Sequence, residues 1–496
     1  MNRKLQEFKK YIKGRKAAVI GVGISNRPLI KWLCSLGADV TGFDRLSEDD
    51  PILGKTMQDF NNEGLNIKWS LGENYLDRLA SDDFDIVFKT PKMRFETPEL
   101  AAAYDKGAVL TTEMELFLSL CPAHTFGITG SDGKTTTTTL VSEMLKTAGY
   151  RVWLGGNIGT PLLEKIGEIE ADDMVVLELS SFQLLGMASA VDTAIVTNIT
   201  PNHLDFHKDY AEYIDAKKSI FRNQSASGLL ILNGKCDITF DMWKERRGRL
   251  SFFARNREDT LRAGDSDLFA KAYCENGVLT YEYKGIKSPV IHEKEIFIPG
   301  KHNVENYLAA MSAVFEFVGV EDIVKVAKNF KGVAHRIEFI REIDGVKYYN
   351  SSIDTSPNRT INTMNALRDR AMKGVLIAGG ADKKCIYDGL GDAILNVCDR
   401  IILYGSNSSL VEDILAKEAN GRSYSVTTLE SVDGDVYEFE ATRDKVRNNY
   451  VKAVELARSL AKPGEIVIMS NIGTSYDHFR HFEHRGDMFK EIVNEV

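Results

Sequence analysis

The feature that most constrains the fold of this chain is a repeated alternation of short apolar runs with stretches of helical periodicity. The clearest runs lie at residues 17–20, 39–43, 125–129, 174–177, 194–197, 374–377, 400–404 and 465–469. Runs of this kind, separated by amphipathic helices, are typical of parallel sheets that are covered on both faces. The sequence therefore predicts an α/β protein in three blocks, with boundaries near residues 121 and 334.

Length and composition agree with this reading and exclude several classes of protein. The 496 residues correspond to about three domains at roughly 150 residues each. A net charge of −9 argues against a broad nucleic-acid surface. The six cysteines show no CxxC spacing, which favours reduced thiols and a cytoplasmic location. No apolar stretch reaches the length of a membrane-spanning helix, so we expect no membrane insertion.

A glycine-rich turn follows the run at 125–129 and precedes a helical stretch. It reads Gly130-Ser131-Asp132-Gly133-Lys134-Thr135. Such a turn directs backbone N–H groups and a helix N-terminus at an anion, with the lysine on phosphates and the threonine hydroxyl on Mg²⁺. The strict P-loop pattern would place glycine at position 128, where this chain has Ile128. A glycine-rich turn beside an ordinary lysine is the alternative.

Two further polar residues follow apolar runs. Glu178 comes directly after the run at 174–177, and His203 lies shortly after the run at 194–197. Ligands of open α/β sheets gather at the carboxyl ends of the strands, so both should approach the phosphate turn. A carboxylate and an imidazole could share a divalent ion with phosphates. Alternatively, His203 and His207 form an ordinary surface pair.

Lys217 lies on the apolar stripe of the helix that begins near Asp209. It is seven residues after Tyr210 on that stripe, whereas Lys218 is not on it. A lysine that faces inward must be paired or neutralised. Periodicity leaves three readings open: a snorkelling side chain, a neighbour of a metal site, or a chemically modified lysine.

The first block opens with a glycine turn at Gly21 and Gly23, and its second apolar run ends at Asp44. This resembles a dinucleotide-binding unit, but the full pattern needs glycine at 26, where the chain has Asn26. A simple glycine turn stays open as an alternative. A dehydrogenase is disfavoured because the pattern is incomplete and a phosphate turn follows.

An ordered set of motifs extends along nearly the whole chain. It comprises residues 129–135, 156–159, 178–183, 202–205, 300–306, the pair His335-Arg336 and the tail 479–486. One of these motifs would be weak, but their ordered set is specific. On these residues the chain resembles the Mur ligase family, and its tail resembles that of the glutamate-adding branch.

The resemblance implies a fold and a reaction. The fold would have a Rossmann-like uridine-nucleotide domain at 1–120, a central P-loop-type ATPase domain at 121–334 and a Rossmann-like amino-acid-binding domain at 335–496. With ATP and Mg²⁺, the carboxylate of UDP-N-acetylmuramoyl-L-alanine would be phosphorylated, and the amine of D-glutamate would attack the acyl phosphate. This is a step of peptidoglycan precursor synthesis, and we expect a monomer.

The resemblance also implies roles for individual residues. The ATP-binding positions would be Gly130, Ser131, Asp132, Gly133, Lys134, Thr135, Thr136, Asn303, Asn306 and Arg336. Those for the uridine-linked substrate would be Ser25, Asn26, Asp44, Arg45, Asn157 and Ser180, and those for the amino acid Lys383, Ser475 and Phe482. The metal ligands would be Thr135, Glu178, His203 and Lys217 as a carbamate. Catalysis would rest on Lys134, Glu178, His203 and Lys217.

Four places depart from the family pattern. Asp132 replaces an asparagine, Lys92 replaces a glycine after Thr90-Pro91, and Ser351 replaces a nucleotide-contacting aspartate. The loop at 470–475 also differs from the usual one. Two alternatives to D-glutamate addition follow: a related ligase with another acceptor, or a nucleotide-binding regulator without turnover.

Overall fold

The computed structural model describes residues 2–264, 268–382, 385–430, 432 and 439–496. The chain forms three sheets and divides into two compact units, Met1–Glu293 with Glu305–Val326, and Lys294–Val304 with Ala327–Val496. The α/β prediction is confirmed. In the described part of the chain, none of the helices combines the length and apolarity needed to cross a membrane.

The first sheet lies near the N-terminus and is parallel throughout, with strand order β3-β2-β1-β4-β5. Its strands are β1 (Lys16–Ile20), β2 (Asp39–Asp44), β3 (Lys68–Leu71), β4 (Ile86–Phe88) and β5 (Val109–Thr111). The helices of this region are α1 (Arg3–Ile12), α2 (Asn26–Ser35), α3 (Pro51–Asn62), α4 (Asp77–Ser81), α5 (Pro98–Asp105) and α6 (Glu113–Leu120).

The second sheet has nine strands in the order β14-β13-β12-β11-β10-β9-β6-β8-β7. Its strands are β6 (His124–Thr129), β7 (Val152–Gly156), β8 (Met174–Glu178), β9 (Thr193–Val196), β10 (Leu229–Asn233), β11 (Arg249–Ala254), β12 (Ala270–Glu275), β13 (Val278–Tyr283) and β14 (Ile286–His292). The helices are α7 (Lys134–Thr147), α8 (Ser181–Leu184), α9 (Tyr210–Arg222), α10 (Asp237–Asp241), α11 (Lys301–Val314) and α12 (Val320–Asn329). The strands from β7 to β12 are parallel, and β13 and β14 close the sheet as antiparallel hairpins.

One hydrophobic core joins these two sheets within the first unit. Val19 of β1, Phe117 of α6 and Val175 of β8 belong to the same buried cluster. The opposite face of the first sheet has its own smaller core around Phe43 and Val87. A shared apolar core therefore couples the two sheets within the first unit.

The second unit contains the third sheet, in the order β15-β16-β20-β17-β18-β19. Its elements are β15 (Glu338–Ile343), β16 (Val346–Ser351), α13 (Pro357–Arg368), β17 (Gly374–Gly379), α14 (Leu390–Leu395), β18 (Cys398–Tyr404), α15 (Ser408–Glu418), β19 (Ser425–Thr428), α16 (Phe439–Leu460), β20 (Ile466–Ser470) and α17 (Phe482–Glu495). Along β20, Ile466 and Ile468 enter one core, and Val467 and Met469 enter the other. This alternation is what a strand covered on both faces requires.

The hairpin of β12 and β13 contains a buried ion pair. Lys271 Nζ lies 3.0 Å from Glu282 Oε1, and the two side chains are 5% and 6% exposed. Tyr273 donates a hydrogen bond of 2.6 Å to the other oxygen of Glu282. The pair therefore ties β12 to β13 through charges shielded from water.

We expect Glu282→Gln to destabilise the protein by about 3–5 kcal/mol, because it removes the buried carboxylate that pairs with the Lys271 ammonium and accepts the Tyr273 hydroxyl. Urea unfolding followed by circular dichroism would measure the loss. The control is Glu275→Gln, which breaks the exposed Lys287–Glu275 pair of the same hairpins and should cost less than about 1 kcal/mol. Equal unfolding midpoints for the two variants would contradict the prediction.

Candidate functional site

Three neighbouring strands of the second sheet end at one place. β6 lies between β8 and β9, with Ile128 opposite Glu178 and Thr129 opposite Val196. Because all three strands are parallel, their carboxyl ends lie at the same edge of the sheet. The convergence of the phosphate turn with Glu178, predicted from the sequence, is therefore present.

The phosphate turn needs glycine at two positions for steric reasons. Gly130 has φ +144°, and a Cβ there would lie 1.9 Å from Thr197 Oγ1. Gly133 has φ +79°, and a Cβ there would lie 2.4 Å from Asn306 Oδ1. Residues other than glycine would both strain the backbone and collide with these side chains.

The loop after β9 holds the phosphate turn in place. The Asp132 backbone N–H donates to Asn198 Oδ1 at 2.9 Å. Ser131 Oγ donates to the Thr200 carbonyl at 2.9 Å. The turn is thus shaped by polar contacts before any anion binds.

Helix α7 begins at Lys134, directly after the turn. Its N-terminus contributes about half a positive charge. Lys134 Nζ donates to the carbonyls of Gly130 and Ser131, at 3.0 and 2.8 Å. Cationic charge and backbone donors therefore share one small region, which suits a polyphosphate.

The threonine run at 135–139 is poor helix material, and the structure explains it. Thr135 Oγ1 donates to Glu178 Oε2 at 2.7 Å, and Thr137 Oγ1 donates to Asn306 Oδ1 at 3.3 Å. Thr136 is buried. Two of these hydroxyls are thus used by the site, which outweighs their weak helix propensity.

Glu178 is 2% exposed and accepts hydrogen bonds on both carboxylate oxygens. Thr135 donates to one oxygen, and Asn157 Nδ2 donates to the other at 2.9 Å. Asn157, which the family resemblance assigns to the substrate, therefore also contacts Glu178, a contact that the sequence did not predict. No local pattern signals it, because the two residues lie on different strand ends that meet only through sheet pairing.

Lys217 faces inward, as its position on the helix stripe predicts. It is 2% exposed, and its Nζ donates to the Gly130 carbonyl at 2.8 Å. Burial, together with repulsion from Lys134, lowers the pKa of Lys217 to about 7. The neighbouring Lys218 instead pairs with Glu245 at 2.5 Å.

His203 and His207 differ in their surroundings. His203 has a left-handed backbone with φ +55°, and its ring lies 4.8 Å from that of Phe182. His203 is exposed, and partial desolvation by its neighbours lowers the pKa of its ring. His207 is buried, and its Nε2 lies 3.0 Å from Ser181 Oγ. The surface-pair alternative is therefore wrong for His207.

The donor set near Glu178 fits a hard cation shared with phosphates. Thr135 and Glu178 present oxygen atoms, which Mg²⁺ prefers. Protonated Lys217 carries no lone pair and could not be a ligand in that form, whereas a carbamate on it would add oxygen atoms to the set. Among the described residues, no group of three or more histidine, cysteine, aspartate or glutamate side chains could hold a metal. Phosphate oxygens would have to complete the coordination.

The remaining predicted ATP residues lie on α11 and just after α12. Asn303 and Asn306 are both buried on α11. Arg336 lies in a strained turn, between His335 with φ +66° and Ile337 with φ +45°. Such backbone conformations are uncommon outside glycine and occur where the surroundings enforce them.

Most predicted uridine-side residues lie at the carboxyl edge of the first sheet. Asn26 Nδ2 donates to the carbonyls of Ile20 and Gly21, so its amide N–H groups serve the turn itself. Asp44 Oδ2 accepts the Val22 N–H at 2.7 Å. Ser25 and Arg45 are exposed.

Ser180, also assigned to this substrate, lies after β8 in the second sheet. It forms a capping box with Gln183 at the start of α8.

The predicted amino-acid residues belong to the second unit. Ser475 is buried in the loop after β20. Phe482 is the first residue of α17, and its ring centroid lies 6.0 Å from that of His335. Lys383 lies outside the described residues.

Comparison with known proteins shows which family the chain belongs to. Residues 128–314 match the Mur ligase middle domain. The chain is 46% identical to UDP-N-acetylmuramoylalanine–D-glutamate ligase of Acetivibrio thermocellus, and the match covers the full length of both chains. The corresponding ligase of Ruminiclostridium cellulolyticum is 43% identical, again over both full lengths. The chain belongs to the Mur ligase family.

The fold is also found among solved structures. The crystal structure of UDP-N-acetylmuramate–alanine ligase from Thermotoga maritima matches with a TM-score of 0.54 at 17% identity. The match covers 97% of this chain and 99% of the other. At such low identity, the likeness concerns the fold of Mur ligases rather than their substrates.

Two departures from the Mur ligase pattern have clear local settings. Lys92 extends its Nζ to 5.3 Å from the ring centroid of Phe182. Asp132 is exposed and uses its backbone, rather than its side chain, to hold the turn. Neither residue blocks the phosphate turn.

A third departure, Ser351, is fully buried, and its hydroxyl accepts the Ile337 N–H at 3.2 Å. Three residues further on, the Asp354 carboxyl accepts hydrogen bonds from Thr363 and Ser470, both at 2.8 Å. Burial raises the pKa of the Asp354 carboxyl group. A buried carboxyl group, that of Asp354, is therefore present three residues after Ser351, although the sequence pattern shows only that position 351 lacks the aspartate.

We expect Gly133→Ala in this Mur ligase to weaken ATP binding by about tenfold. A left-handed alanine costs about 1–2 kcal/mol. The turn without ATP would relax to relieve that strain, so ATP binding would have to restore the strained turn, which lowers the affinity about tenfold. Calorimetric titration with Mg-ATP would measure it. Gly167→Ala is the control, since a Cβ there meets no atom within 4 Å. Equal affinities for the two variants would refute the steric argument.

Proposed function

We propose that this chain joins D-glutamate to UDP-N-acetylmuramoyl-L-alanine in an ATP-dependent step of peptidoglycan precursor synthesis. The observation that carries the proposal is full-length identity of 46% to a ligase of that name. The phosphate turn, Glu178 and buried Lys217 converge at one sheet edge, which supports an ATP-dependent reaction. The reduced cysteines and the nucleotide substrates fit a cytoplasmic enzyme, and we expect it to act as a monomer.

The reaction needs an activated carboxyl group. The substrate carboxylate attacks the γ-phosphorus of ATP, which gives an acyl phosphate and ADP. The amine nitrogen of D-glutamate then attacks the acyl carbon, phosphate leaves, and the nitrogen loses a proton. The acyl phosphate is what makes amide formation favourable in water.

In this proposal, the central residues handle phosphate charge. Backbone donors from 130–136 and the Lys134 ammonium bind the ATP phosphates. Thr135, Glu178, His203 and carbamylated Lys217 would hold Mg²⁺, which when bound neutralises phosphate charge during transfer. Asn157 orients Glu178 through its hydrogen bond.

The outer residues would recognise the other groups. Asn303, Asn306 and Arg336 contact ATP in this proposal, and the carboxyl edge of the first sheet takes the uridine nucleotide. Lys383, Ser475 and Phe482 take the incoming amino acid. The corresponding domains are 1–120, 121–334 and 335–496, and each of the three sheets lies inside one of these ranges.

A related ligase with another acceptor is the second candidate. The observation that favours it is the altered loop at 470–475, which contains Ser475. Because this loop follows β20 at the carboxyl edge of the third sheet, changes there would act on the incoming amino acid rather than on ATP.

Phosphate release distinguishes the candidates. With ATP, Mg²⁺ and UDP-N-acetylmuramoyl-L-alanine, we expect release with D-glutamate and none with L-glutamate or without an amino acid. Release only with a different amino acid would favour the second candidate. Tight ATP binding without release under any acceptor would instead indicate a nucleotide-binding regulator.

Carbamylation of Lys217 is a separate prediction. The Lys217 ammonium would first lose one proton. The neutral amine nitrogen would then attack CO₂, form an N–C bond and release a second proton, so that a buried cation becomes an anion. With ¹³C-bicarbonate, we expect a carbamate carbon resonance that disappears in Lys217→Ala. The resonance should persist in Lys218→Ala, which removes the neighbouring lysine. A resonance that survives in Lys217→Ala would contradict the assignment.

A further inference from the structure

The loop between β4 and α5, residues 89–97, is held in shape by contacts among its own residues. Lys89 is almost completely buried, and its Nζ donates to the Met93 carbonyl at 2.9 Å. The same ammonium lies 4.3 Å from the ring centroid of Phe95. Thr97 Oγ1 donates to the Arg94 carbonyl at 2.7 Å. These contacts give Arg94 a defined position at the edge of the first sheet.

Arg94 reaches from this loop to the second sheet's elements. Its two terminal nitrogens bind the two carboxylate oxygens of Glu212, at 3.1 and 2.5 Å. The side chains are 25% and 18% exposed. The Arg94 guanidinium lowers the pKa of Glu212 to about 2. A bidentate, partly buried pair of this kind is stronger and more directional than an ordinary surface pair.

Glu212 lies in the first turn of α9, directly after the 200–209 loop that carries His203. Its Oε2 accepts the Lys208 backbone N–H at 2.8 Å. The His207 ring nitrogen Nδ1 lies 3.4 Å from the same oxygen. Arg94 also approaches the Phe206 carbonyl at 3.4 Å. The Glu212 carboxylate and its partner Arg94 therefore contact three consecutive residues at the end of this loop, Phe206, His207 and Lys208.

The contacts continue toward the reacting groups. On its other side, His207 contacts Ser181, which follows Glu178 by three residues. Phe182 packs against the rings of both His203 and His207, with centroids 4.8 and 5.8 Å away. An unbroken chain of contacts thus connects Arg94 of the first sheet with His203.

We propose that Arg94 and Glu212 are positioning residues, which fix the 200–209 loop and thereby His203 against the first sheet. The proposal rests on the proposed function, in which His203 serves phosphate transfer. His203 has a left-handed backbone, and such a conformation persists only when its surroundings constrain it. Within the loop, the Phe206 and His207 N–H groups donate to the His203 carbonyl, both at 3.1 Å, and hold the turn. The Arg94–Glu212 pair adds a constraint from outside the loop.

The test compares Arg94→Gln with Arg222→Gln in the full-length protein. Arg222 forms an exposed ion pair with Asp215 on the same helix α9, with side chains 38% and 60% exposed. We expect Arg94→Gln to raise amide hydrogen exchange across residues 200–209 and to lower kcat roughly tenfold to a hundredfold. ATP affinity should fall less than kcat, because the Asp132 N–H keeps its contact with Asn198, which lies outside that loop. Arg222→Gln should behave as wild type.

Two further variants make the test specific. Glu212→Gln removes the same pair from the other side and should reproduce both effects, which also covers the case that Arg94→Gln fails to fold. Arg94→Lys keeps the charge but loses the bidentate contact, so its exchange and kcat should be intermediate.

Unchanged exchange at 200–209, or faster exchange with an unchanged kcat, would overturn the proposal. If the wild-type protein releases no phosphate with any amino acid, the proposed function fails before a variant is compared. The exchange measurement would then still decide whether the pair fixes the loop.

Discussion

The parallel pairing of β6 with β8 and β9 is the constraint on which the site depends. It sets Ile128 opposite Glu178 and Thr129 opposite Val196, so the phosphate turn, the carboxylate and the loop after β9 start from one edge. A slip of one residue in β8 would turn Glu178 to the opposite face of the sheet. Apolar burial on both faces prevents that slip, so the hydrophobic core indirectly sets the chemistry.

Within this frame, buried polar groups define the site. Lys217 donates to the phosphate turn, Thr135 at the start of α7 donates to the Glu178 carboxylate, and Thr137 of the same helix donates to Asn306. Each would be costly to bury without a partner. Their mutual hydrogen bonds offset that cost and hold the groups in fixed geometry, which is the condition for binding a highly charged ligand without large rearrangement.

Much of this arrangement could be predicted. The strand at 125–129, the turn after it and the inward face of Lys217 follow from short-range patterns, and the structure confirms them. The contact of Asn157 with Glu178 could not be foreseen, nor could the burial of His207 or the position of Asp354 among hydroxyl groups. Each depends on residues brought together by strand order, and a single sequence carries no signal for such pairs. Motif resemblance supplied most assignments of roles, which local periodicity left open.

The sequence by itself determined an α/β chain with covered parallel strands, a glycine turn at a strand–helix junction and an amphipathic helix with one lysine on its apolar side. These properties are local, because turn geometry and side-chain periodicity depend on residues within a few positions of each other. Only the tertiary structure decided which polar atoms meet. Arg94 and Glu212 are 118 residues apart in the chain, and their contact exists because the packing of two sheets on one core brings their loops together.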